Sequence, residues 1–400
     1  MKILVITQYF WPESFKINDL ALSLKDKGHD VTILTAIPNY PKGKFFSKYS
    51  FWKNNDEKWN GIYIYRCKIF ARGKGNIRLM LNYISFVFFC TIKVIFIKQK
   101  FDKIFVYEPS PVTVGLPAII ASRKFKAPFY FWVQDLWPES LTAAGGLTNK
   151  YVLAFFNWIT ILIYKKAKFI LIQSRGFSDY ILNQGDFSNK LVYFPNTAEN
   201  FYKPIAAEDS YYSKLPKGFK LIFAGNIGEA QGINTLIEAA YIIKSQGLDV
   251  QWIFLGDGRQ KQNYIQQIEN LDLIDNFYFL GTFPAEEMPH FFACADALIV
   301  SLKKDNIFSL TIPAKVQCYL ASGKPILGSL DGEGKRVINE SKAGFVSPAG
   351  DANLFAKNVV RFYNLNSTEK NEMKQNGINY FRSEFGRDKL TDRLIDLLNK

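Results

Sequence analysis

The strongest constraint on the fold is a regular alternation of short apolar runs with helical patterns, which occurs in both halves of the chain. The predicted strands include KILVITQYF, HDVTILTA, KIFVYEP and PFYFWVQDLW in the first half, and LIFAGN, VQWIFLGDG, NFYFLG and ADALIVSL in the second. Strands that alternate with helices in this way form parallel, doubly wound sheets. We therefore predict an α/β protein with two Rossmann-like domains facing each other across a cleft.

The segment that separates the two halves is polar and breaks the alternation. Residues 196–218, NTAENFYKPIAAEDSYYSKLPKG, contain two prolines, which are typical of a connection between domains. We place one domain at residues 1–198 and the other at 199–400. We leave open the option that the last helix, about residues 381–400, packs back on the first domain.

The positive charge of the chain is concentrated in its first half. Residues 1–200 hold 27 Lys and Arg against 13 Asp and Glu, whereas the remaining residues hold 23 of each kind. A nucleic-acid partner would explain the excess, but the sequence contains no recognised nucleic-acid motif. An anionic membrane surface is the alternative explanation, and we favour it.

Two uncharged, aromatic-rich runs support a membrane surface. They are LMLNYISFVFFCTI, residues 79–92, and YVLAFFNWITILIY, residues 151–164, and basic residues flank both. Each run has 14 residues, fewer than the roughly 20 that a spanning helix needs. Helices lying at the interface and buried core helices both fit this length, so both remain open.

Several functional classes are disfavoured by what the sequence lacks. No complete G-x-G-x-x-G or G-x-x-x-x-G-K-[ST] motif occurs, which argues against a dinucleotide dehydrogenase or a P-loop enzyme. The two histidines, His29 and His290, fall in a turn and a helix, and we expect them to be structural. The four cysteines are scattered, so we expect a reduced, cytoplasmic compartment and no metal site.

Carboxylates follow two predicted strands of the first half. Glu108 follows KIFVY, while Asp135 and Glu139 lie in FWVQDLWPES. The ends of parallel strands are where open α/β sheets bind ligands. Capping of the next helix is the competing role for these side chains. We favour a functional role for Asp135 and leave Glu108 and Glu139 open on this argument alone.

The second half places polar or glycine-bearing loops after five strands. These loops are residues 226–232, 256–259, 281–283, 303–315 and 331–334. Together they would form a long site suited to a nucleotide diphosphate, yet the first loop contains no lysine or arginine. The cations best placed to supply the missing positive charge are Arg259 and Lys315, the first residue of the helix KVQCYLASG. A charge-assisted hydrogen bond from such a residue stabilises a bound phosphate more than an exposed helix terminus does.

The chain resembles the GT-B glycosyltransferases of family 4 over nearly its whole length. The resemblance is carried, in order, by YFWPES…GHDVTILTAIPNYPKGK, LIFAGNIGEAQGINTLIEAA, FLGDGRQK, FYFLGTF and SLTIPAKVQCYLASGKPILGSLDGEGKRVI. Within that family it is most similar to bacterial O-antigen and capsule transferases of the N-acetyl-L-fucosamine type. The resemblance implies a UDP-sugar donor in the second domain, an acceptor in the first, and no metal or other cofactor. It also implies that Asn18 opens toward the acceptor.

The resemblance also implies a set of site residues. We expect Asp135, Lys315 and Glu108 to be catalytic. We expect donor binding by Asn226, Gly228, Gln231, Gly256, Gly258, Arg259, Thr282, Phe283, Ser309, Lys315, Asp331, Gly332 and Glu333.

The sequence departs from the family pattern at three places. Asn226 and Gln231 stand where many relatives have Arg and Lys, and a common pair of glutamates is replaced by Leu310 and Cys318. Gln134 or Asp135 takes the place of a histidine that meets the sugar's 6-hydroxyl, which fits a 6-deoxy donor. The arrangement of Ser309, Pro313 and Lys315 is expected to substitute for the missing charges.

These inferences lead to one expected function and two alternatives. We expect a glycosyltransferase that moves an amino-deoxy sugar, such as N-acetyl-L-fucosamine, from a UDP-sugar to an undecaprenyl-diphosphate-linked saccharide. This reaction would serve O-antigen or capsule biosynthesis, at the inner face of the cytoplasmic membrane and without a nucleic-acid partner. The alternatives are a UDP-sugar epimerase of GT-B fold, or an inactive scaffold in a polysaccharide-assembly complex.

Overall fold

The structure, a computed structural model, describes residues 1–73, 75–141 and 149–400. The chain forms two compact units, one made of Met1–Pro195 with Leu390–Lys400, the other of Asn196–Lys389. The division after Pro195 lies three residues before the boundary predicted at 198.

The first unit is built on one twisted sheet. Its described strands are β1 (Lys2–Ile6), β2 (Asp30–Ala36), β3 (Glu57–Trp59), β4 (Ile62–Cys67), β5 (Lys103–Glu108), β6 (Phe129–Val133), β7 (Phe169–Ile172) and β8 (Leu191–Tyr193). The strand order is β3-β4-β2-β1-β5-β6-β7-β8, and the pairing is parallel except between β3 and β4. Because helices cover both faces, the central strands are largely buried and apolar: β6 throughout, and β1 after Lys2.

Helices connect these strands. In the described residues they are α1 (Lys16–Asp26), α2 (Asn76–Phe96), α3 (Gly115–Phe125), α4 (Lys150–Lys166) and α5 (Phe177–Asn183), with single 3-10 turns at Val112–Val114 and Ser188–Lys190. The two apolar runs of the sequence correspond to α2 and α4.

The second unit has a sheet of fully parallel strands. They are β9 (Phe219–Ala224), β10 (Val250–Leu255), β11 (Phe277–Gly281), β12 (Ala297–Ser301), β13 (Ile326–Ser329) and β14 (Gly344–Ser347), in the order β11-β10-β9-β12-β13-β14. The order reverses between β9 and β12, which is the place where ligands bind in open α/β sheets.

The helices of this unit cover both faces of its sheet. They are α6 (Asp209–Tyr212), α7 (Ile233–Ser245), α8 (Lys261–Asn270), α9 (Met288–Ala293), α10 (Asn306–Ser309), α11 (Ala314–Ala321), α12 (Gly332–Ser341), α13 (Ala352–Tyr363) and α14 (Ser367–Tyr380). Single 3-10 turns occur at Glu229–Gln231, Ile274–Asn276 and Ala285–Glu287, and a π-helical turn at Phe381–Phe385. The prediction of two Rossmann-like α/β domains is confirmed by the two sheets.

Helix α2 is longer than the uncharged run predicted from the sequence. It has 21 residues, because it continues past Lys93, whose ammonium group forms an ion pair of 2.7 Å with Asp56. Among the described helices, α2 alone is long and apolar enough to cross a membrane, and a third of that stretch is buried. Length therefore does not separate an interfacial from a spanning role for α2.

The final helix, α15 (Arg387–Asn399), completes the core of the first unit. Leu390, Leu394 and Leu398 are buried in the same apolar cluster as the strands β1 and β2. The hydroxyls of Ser23 and Thr391 lie 2.7 Å apart, and the Tyr130 hydroxyl donates a hydrogen bond to the Leu398 carbonyl. Residues near the C-terminus thus stabilise the N-terminal sheet.

We expect Leu394→Ala to lower the free energy of unfolding of the first unit by about 2–5 kcal/mol, because it leaves a cavity under the sheet. Urea unfolding followed by tryptophan fluorescence measures the change. The matched control is Arg393→Ala, an exposed neighbour that should shift the free energy by less than about 0.5 kcal/mol. Equal midpoints for the two variants would contradict this account of α15.

Candidate functional site

The loops after β9, β10 and β11 form one continuous edge of the second sheet. The backbone N–H of Gly225 donates to the Leu255 carbonyl at 2.8 Å, and that of Ile227 donates to the Asp257 carbonyl at 2.9 Å. The N–H of Gly256 in turn donates to Gly281 at 2.7 Å. Because the three loops share hydrogen bonds, they hold a fixed relative position without a ligand.

Three of the predicted binding glycines are required by this packing. A methyl group on Gly256 would lie 1.9 Å from the Gly225 carbonyl oxygen, and one on Gly258 would lie 2.2 Å from that of Ile227. A methyl group on Gly332 would lie 1.9 Å from the Ser309 carbonyl oxygen. These contacts bring Ser309 to the start of α12 and explain the glycines by the packing of backbone against backbone.

Lys315 delivers a positive charge to the first loop, which has none of its own. Its ammonium group donates a hydrogen bond of 2.6 Å to Oε1 of Gln231 and lies 3.6 Å from the centre of the Phe223 ring. A side chain at Gly225 would force the lysine to shift, because a methyl group there would meet Cε of Lys315 at 2.8 Å. The predicted proximity of Lys315 to the loop at residues 226–232 is therefore present in the structure.

Helix α11 holds Lys315 in place through a second contact. Tyr319 lies one helical turn after Lys315, on the same face, and its buried hydroxyl accepts a hydrogen bond of 3.2 Å from the Ala224 N–H. Both side chains thus reach the end of β9. The N-terminus of α11 and the lysine contribute positive potential at the same point.

The environment of Lys315 disfavours its charge when no anion is bound. Burial lowers the pKa of the ammonium group to about 7. Among the described residues, no carboxylate forms an ion pair with it. A negative ligand would raise this pKa again, so the site is suited to bind an anion. Lys303, by contrast, is exposed and pairs with Glu229 at 2.7 Å.

Five further predicted donor residues lie in the loops after β9, β10 and β11. Asn226 and Gly228 lie together, since a methyl group on Gly228 would lie 2.6 Å from Nδ2 of Asn226. Arg259 and Thr282 are exposed at the ends of β10 and β11, and the ring of Phe283 packs on Phe291 at 4.5 Å.

The loop before α12 is less open to a ligand than the sequence suggested. The carboxylate of Glu333 accepts two hydrogen bonds from Arg336 on its own helix, at 2.9 and 3.0 Å. Asp331 is the N-cap residue of α12, but its side chain makes no capping hydrogen bond. Of these two acids, Asp331 is therefore the better candidate for contact with a ligand.

In the first unit, Glu108 and Asp135 lie at the ends of the neighbouring strands β5 and β6. One oxygen of the buried Glu108 accepts long hydrogen bonds from the N–H groups of Gln134 and Asp135, at 3.3 and 3.4 Å. The other has no partner among the described residues. Burial, reinforced by the charge of Asp135, raises the pKa of Glu108 well above its usual range.

The two neighbouring carboxyl groups both have raised pKa values. Burial raises the pKa of Asp135 to about 6 and raises that of Glu108 well above its usual range. Pairs of this kind can accept a proton on one member and donate from the other. Burial also raises the pKa of Glu139, the third predicted carboxylate, one oxygen of which has no partner among the described residues.

Asn18, expected to open toward an acceptor, holds together the loop before α1. Its side chain accepts from the Trp11 N–H at 3.1 Å and donates to the Glu13 carbonyl at 2.7 Å, which closes the loop before α1. Glu13 in turn accepts from the N–H groups of Asn39 and Tyr40 at 2.8 and 2.7 Å, and burial raises the pKa of its carboxyl group to about 7. This acid links the loops that follow β1 and β2.

Arg72 and Tyr83 are candidate site residues that the sequence reasoning missed. The Arg72 guanidinium lies 5.5 Å from the ring centre of Tyr40, and its charge and those of Asp135 and Glu108 all act on the Tyr83 hydroxyl. The one available signal was the basic segment CKIFARGKGN directly after β4. Sequence alone could not distinguish this arginine from its basic neighbours.

No group of three or more metal-ligating side chains occurs in the part of the chain that the structure describes.

Comparison with known families identifies both units. Residues 16–197 match the family model of the glycosyl transferase 4-like domain, and residues 209–380 match that of the glycosyl transferases group 1. The chain is a glycosyltransferase of the GT-B fold. The first unit thus matches the 4-like domain and the second unit matches the group 1 domain.

Individual relatives agree with this assignment. The chain is 25% identical over 257 residues to a Pseudomonas aeruginosa protein named as a glycosyltransferase, WbjE, a match that covers 62% of this chain and 63% of WbjE. That is less than two thirds of the relative's length. The chain is also 23% identical over 339 residues to WcaI of Escherichia coli K12, which is named for colanic acid biosynthesis. This match covers 81% of this chain and 82% of WcaI.

Solved structures share the fold at low sequence identity. Sucrose-phosphate synthase from Thermosynechococcus elongatus superposes with a TM-score of 0.74 at 14% identity, covering 100% of this chain and 98% of that one. Anabaena HepE, solved with UDP-glucose, gives a TM-score of 0.69 at 16% identity, covering 100% and 99%.

We expect Lys315 to titrate far below an ordinary lysine. In NMR spectra of the protein with lysines carbon-13-labelled at Cε, one signal should titrate near pH 7, because its ammonium group is held away from water. Lys315→Gln should remove that signal and leave the one from Lys324, whose burial lowers its pKa to about 8. The account fails if every lysine titrates above about pH 9.5.

Proposed function

We propose that this glycosyltransferase moves a sugar from a UDP-sugar to a saccharide carried on undecaprenyl diphosphate, in the synthesis of a bacterial surface polysaccharide such as O-antigen or capsule. The observation that carries the proposal is the contact of Lys315 with the first loop of the second unit. Through this contact the Lys315 ammonium group, which has no carboxylate partner among the described residues, lies at the sheet edge where open α/β folds bind ligands.

The proposed donor is a UDP-sugar bound at the edge formed by the β9, β10 and β11 loops. The related structures of Anabaena HepE contain UDP and UDP-glucose, which supports a uridine diphosphate. In this proposal Lys315, Arg259 and the N-terminus of α11 bind the diphosphate, and Thr282 and Phe283 lie beside the base. Asp331 and the backbone around Gly332 would meet the sugar.

The proposed sugar is an amino-deoxy hexose such as N-acetyl-L-fucosamine. Its support is the resemblance noted in the sequence and the residue pair Gln134 and Asp135 at the end of β6, where many relatives have a histidine. Asp135 is ionised near neutral pH, since burial raises its pKa only to about 6. The histidine of those relatives meets the sugar's 6-hydroxyl, and a 6-deoxy sugar has no such group.

The proposed reaction needs no covalent intermediate with the protein. The bond between the anomeric carbon and the diphosphate oxygen breaks, and the departing negative charge is stabilised by Lys315 and the α11 terminus. The acceptor hydroxyl forms the new bond and releases its proton to Asp135. Glu108, which burial makes harder to ionise, lies beside the Asp135 backbone and orients the reacting groups.

The proposed location is the inner face of the cytoplasmic membrane. The excess of basic residues lies in the first half of the chain, and α2 and α4 expose large apolar side chains on that unit, including Ile77, Phe96, Tyr151 and Trp158. Apolar and aromatic side chains beside basic residues are typical of surfaces that bind anionic bilayers.

We expect Lys315→Gln to raise the Kd for UDP at least tenfold, about 1.4 kcal/mol, because a charge-assisted hydrogen bond is lost. Isothermal titration calorimetry at pH 7 measures the change, and Lys304→Gln, an exposed lysine of the same loop, is the matched control. The difference between wild type and variant should shrink as the pH rises from about 7 to 9, since Lys315 then loses its proton. An unchanged Kd at pH 7 would remove Lys315 from the donor site.

We expect Asp135→Asn to lower kcat by about 10²–10⁴-fold while the Kd for UDP stays the same, because a proton acceptor is lost from the first unit. The assay supplies a panel of UDP-sugars and a short polyprenyl-diphosphate-linked N-acetylglucosamine, with the product read by mass spectrometry. An isomerised UDP-sugar formed without acceptor would instead establish an epimerase.

A further inference from the structure

The first unit contains an apolar groove between α2, α3 and α4 that the proposed donor site does not use. Its volume is about 650 Å³, a size found for ligand pockets. The walls are hydrocarbon and aromatic side chains, and those used below are Met80, Ile84, Val87 and Phe88 on α2, Leu116 on α3 and Phe155 on α4.

The groove is long and open along one side. Its lining residues on α2 recur every three or four positions from Met80 to Ile92, so the groove follows about 18 Å of that helix. Ile84 and Phe88 are each 58% exposed at its rim. Large apolar side chains left exposed in a row indicate a surface that binds something apolar, because exposing them to water alone is unfavourable.

The inner wall of the groove adjoins the polar candidate site of the same unit. Tyr83 lines the groove, and its hydroxyl is hydrogen-bonded to Ser110 and close enough to Arg72, Asp135 and Glu108 to respond to their charges. Thr113 also lines the groove, and its buried hydroxyl has no partner among the described residues. The hydroxyls of Tyr83 and Thr113 thus interrupt an otherwise largely hydrocarbon surface, and Tyr83 connects it to the charged groups.

The charges at this inner end determine which amphiphile fits. Arg72 forms no ion pair with a carboxylate within the described ranges, so its guanidinium group is available to an anion. A molecule that matches the whole surface therefore has a long hydrocarbon chain, an anionic group beside it, and a polar end near Asp135.

We infer that this groove holds the isoprenoid chain of the lipid-linked acceptor, with the acceptor's diphosphate at Arg72 and its saccharide beside Asp135. The inference rests on the proposed function and assigns the acceptor subsite within it. The competing view is that the groove residues only touch the bilayer, together with exposed side chains of α2 outside the groove, such as Ile95 and Phe96.

The test compares two matched substitutions on α2. Ile84→Glu places a carboxylate in the groove, and Ile95→Glu places one outside it, at positions that are 58% and 55% exposed. Calorimetric titration with geranylgeranyl diphosphate should give a Kd at least tenfold weaker for Ile84→Glu than for wild type, and within twofold of wild type for Ile95→Glu. Inorganic diphosphate should bind all three proteins equally and more weakly.

A second variant removes charge as an explanation. Val87→Trp fills the groove without adding a charge, and it should weaken the binding of geranylgeranyl diphosphate at least tenfold. Arg72→Gln, which removes the proposed partner of the diphosphate, should weaken this binding by a similar factor. An unchanged Kd for UDP in each variant shows that the second unit is intact, and an unchanged circular dichroism spectrum shows that the first unit is folded.

The outcomes separate the two views. Two assays compare Ile84→Glu with Ile95→Glu: binding of geranylgeranyl diphosphate, and sedimentation with anionic vesicles that contain no polyprenyl lipid. If the two variants weaken both kinds of binding equally, the groove residues only contact the bilayer, and the inference is overturned. Unchanged binding in Val87→Trp would overturn it as well. Because these measurements require no sugar transfer, failure of the transfer assay refutes the proposed function without deciding the binding result.

Discussion

The contact between Lys315 and Gln231 is the interaction on which the candidate donor site depends. It joins α11 to the loop after β9, and it replaces a cation within the loop by one that reaches in from another helix. Two features make it possible: Gly225 leaves the path open, and Tyr319 fixes the same helix to the end of β9. A larger residue at position 225 would therefore displace the Lys315 side chain and change the charge of the site, although no charged residue is substituted.

Burial gives the two units opposite electrostatic designs. In the second unit it makes a lysine easier to deprotonate, so that the ammonium form is favoured only beside an anion. In the first unit it raises the pKa of two neighbouring carboxyl groups, Glu108 and Asp135. Charged and polar groups that are fixed before a substrate arrives can stabilise the charge that develops during a transfer reaction.

The sequence predicted the architecture because apolar periodicity reports which faces of strands and helices are buried. β3, a three-residue edge strand, was missed, since three residues are too few to show a period. The role of Lys315 could be anticipated from its place at the start of a helix, but its contact with Gln231 depends on the space at Gly225 in three dimensions. Arg72 was missed for a different reason: its neighbours along the chain are equally basic, so the sequence does not single it out. The i,i+3 pairing of Glu333 with Arg336, in contrast, was visible in the sequence and was overlooked.

The position of α15 has a consequence for how the protein is made. Its leucines belong to the core of the N-terminal sheet, yet they follow the whole second unit along the chain. A nascent chain emerging from the ribosome can complete the C-terminal unit first, while the first sheet waits with an uncovered apolar face until Leu398 is translated. During that interval the unfinished sheet is the part of the molecule most exposed to aggregation and most dependent on chaperones.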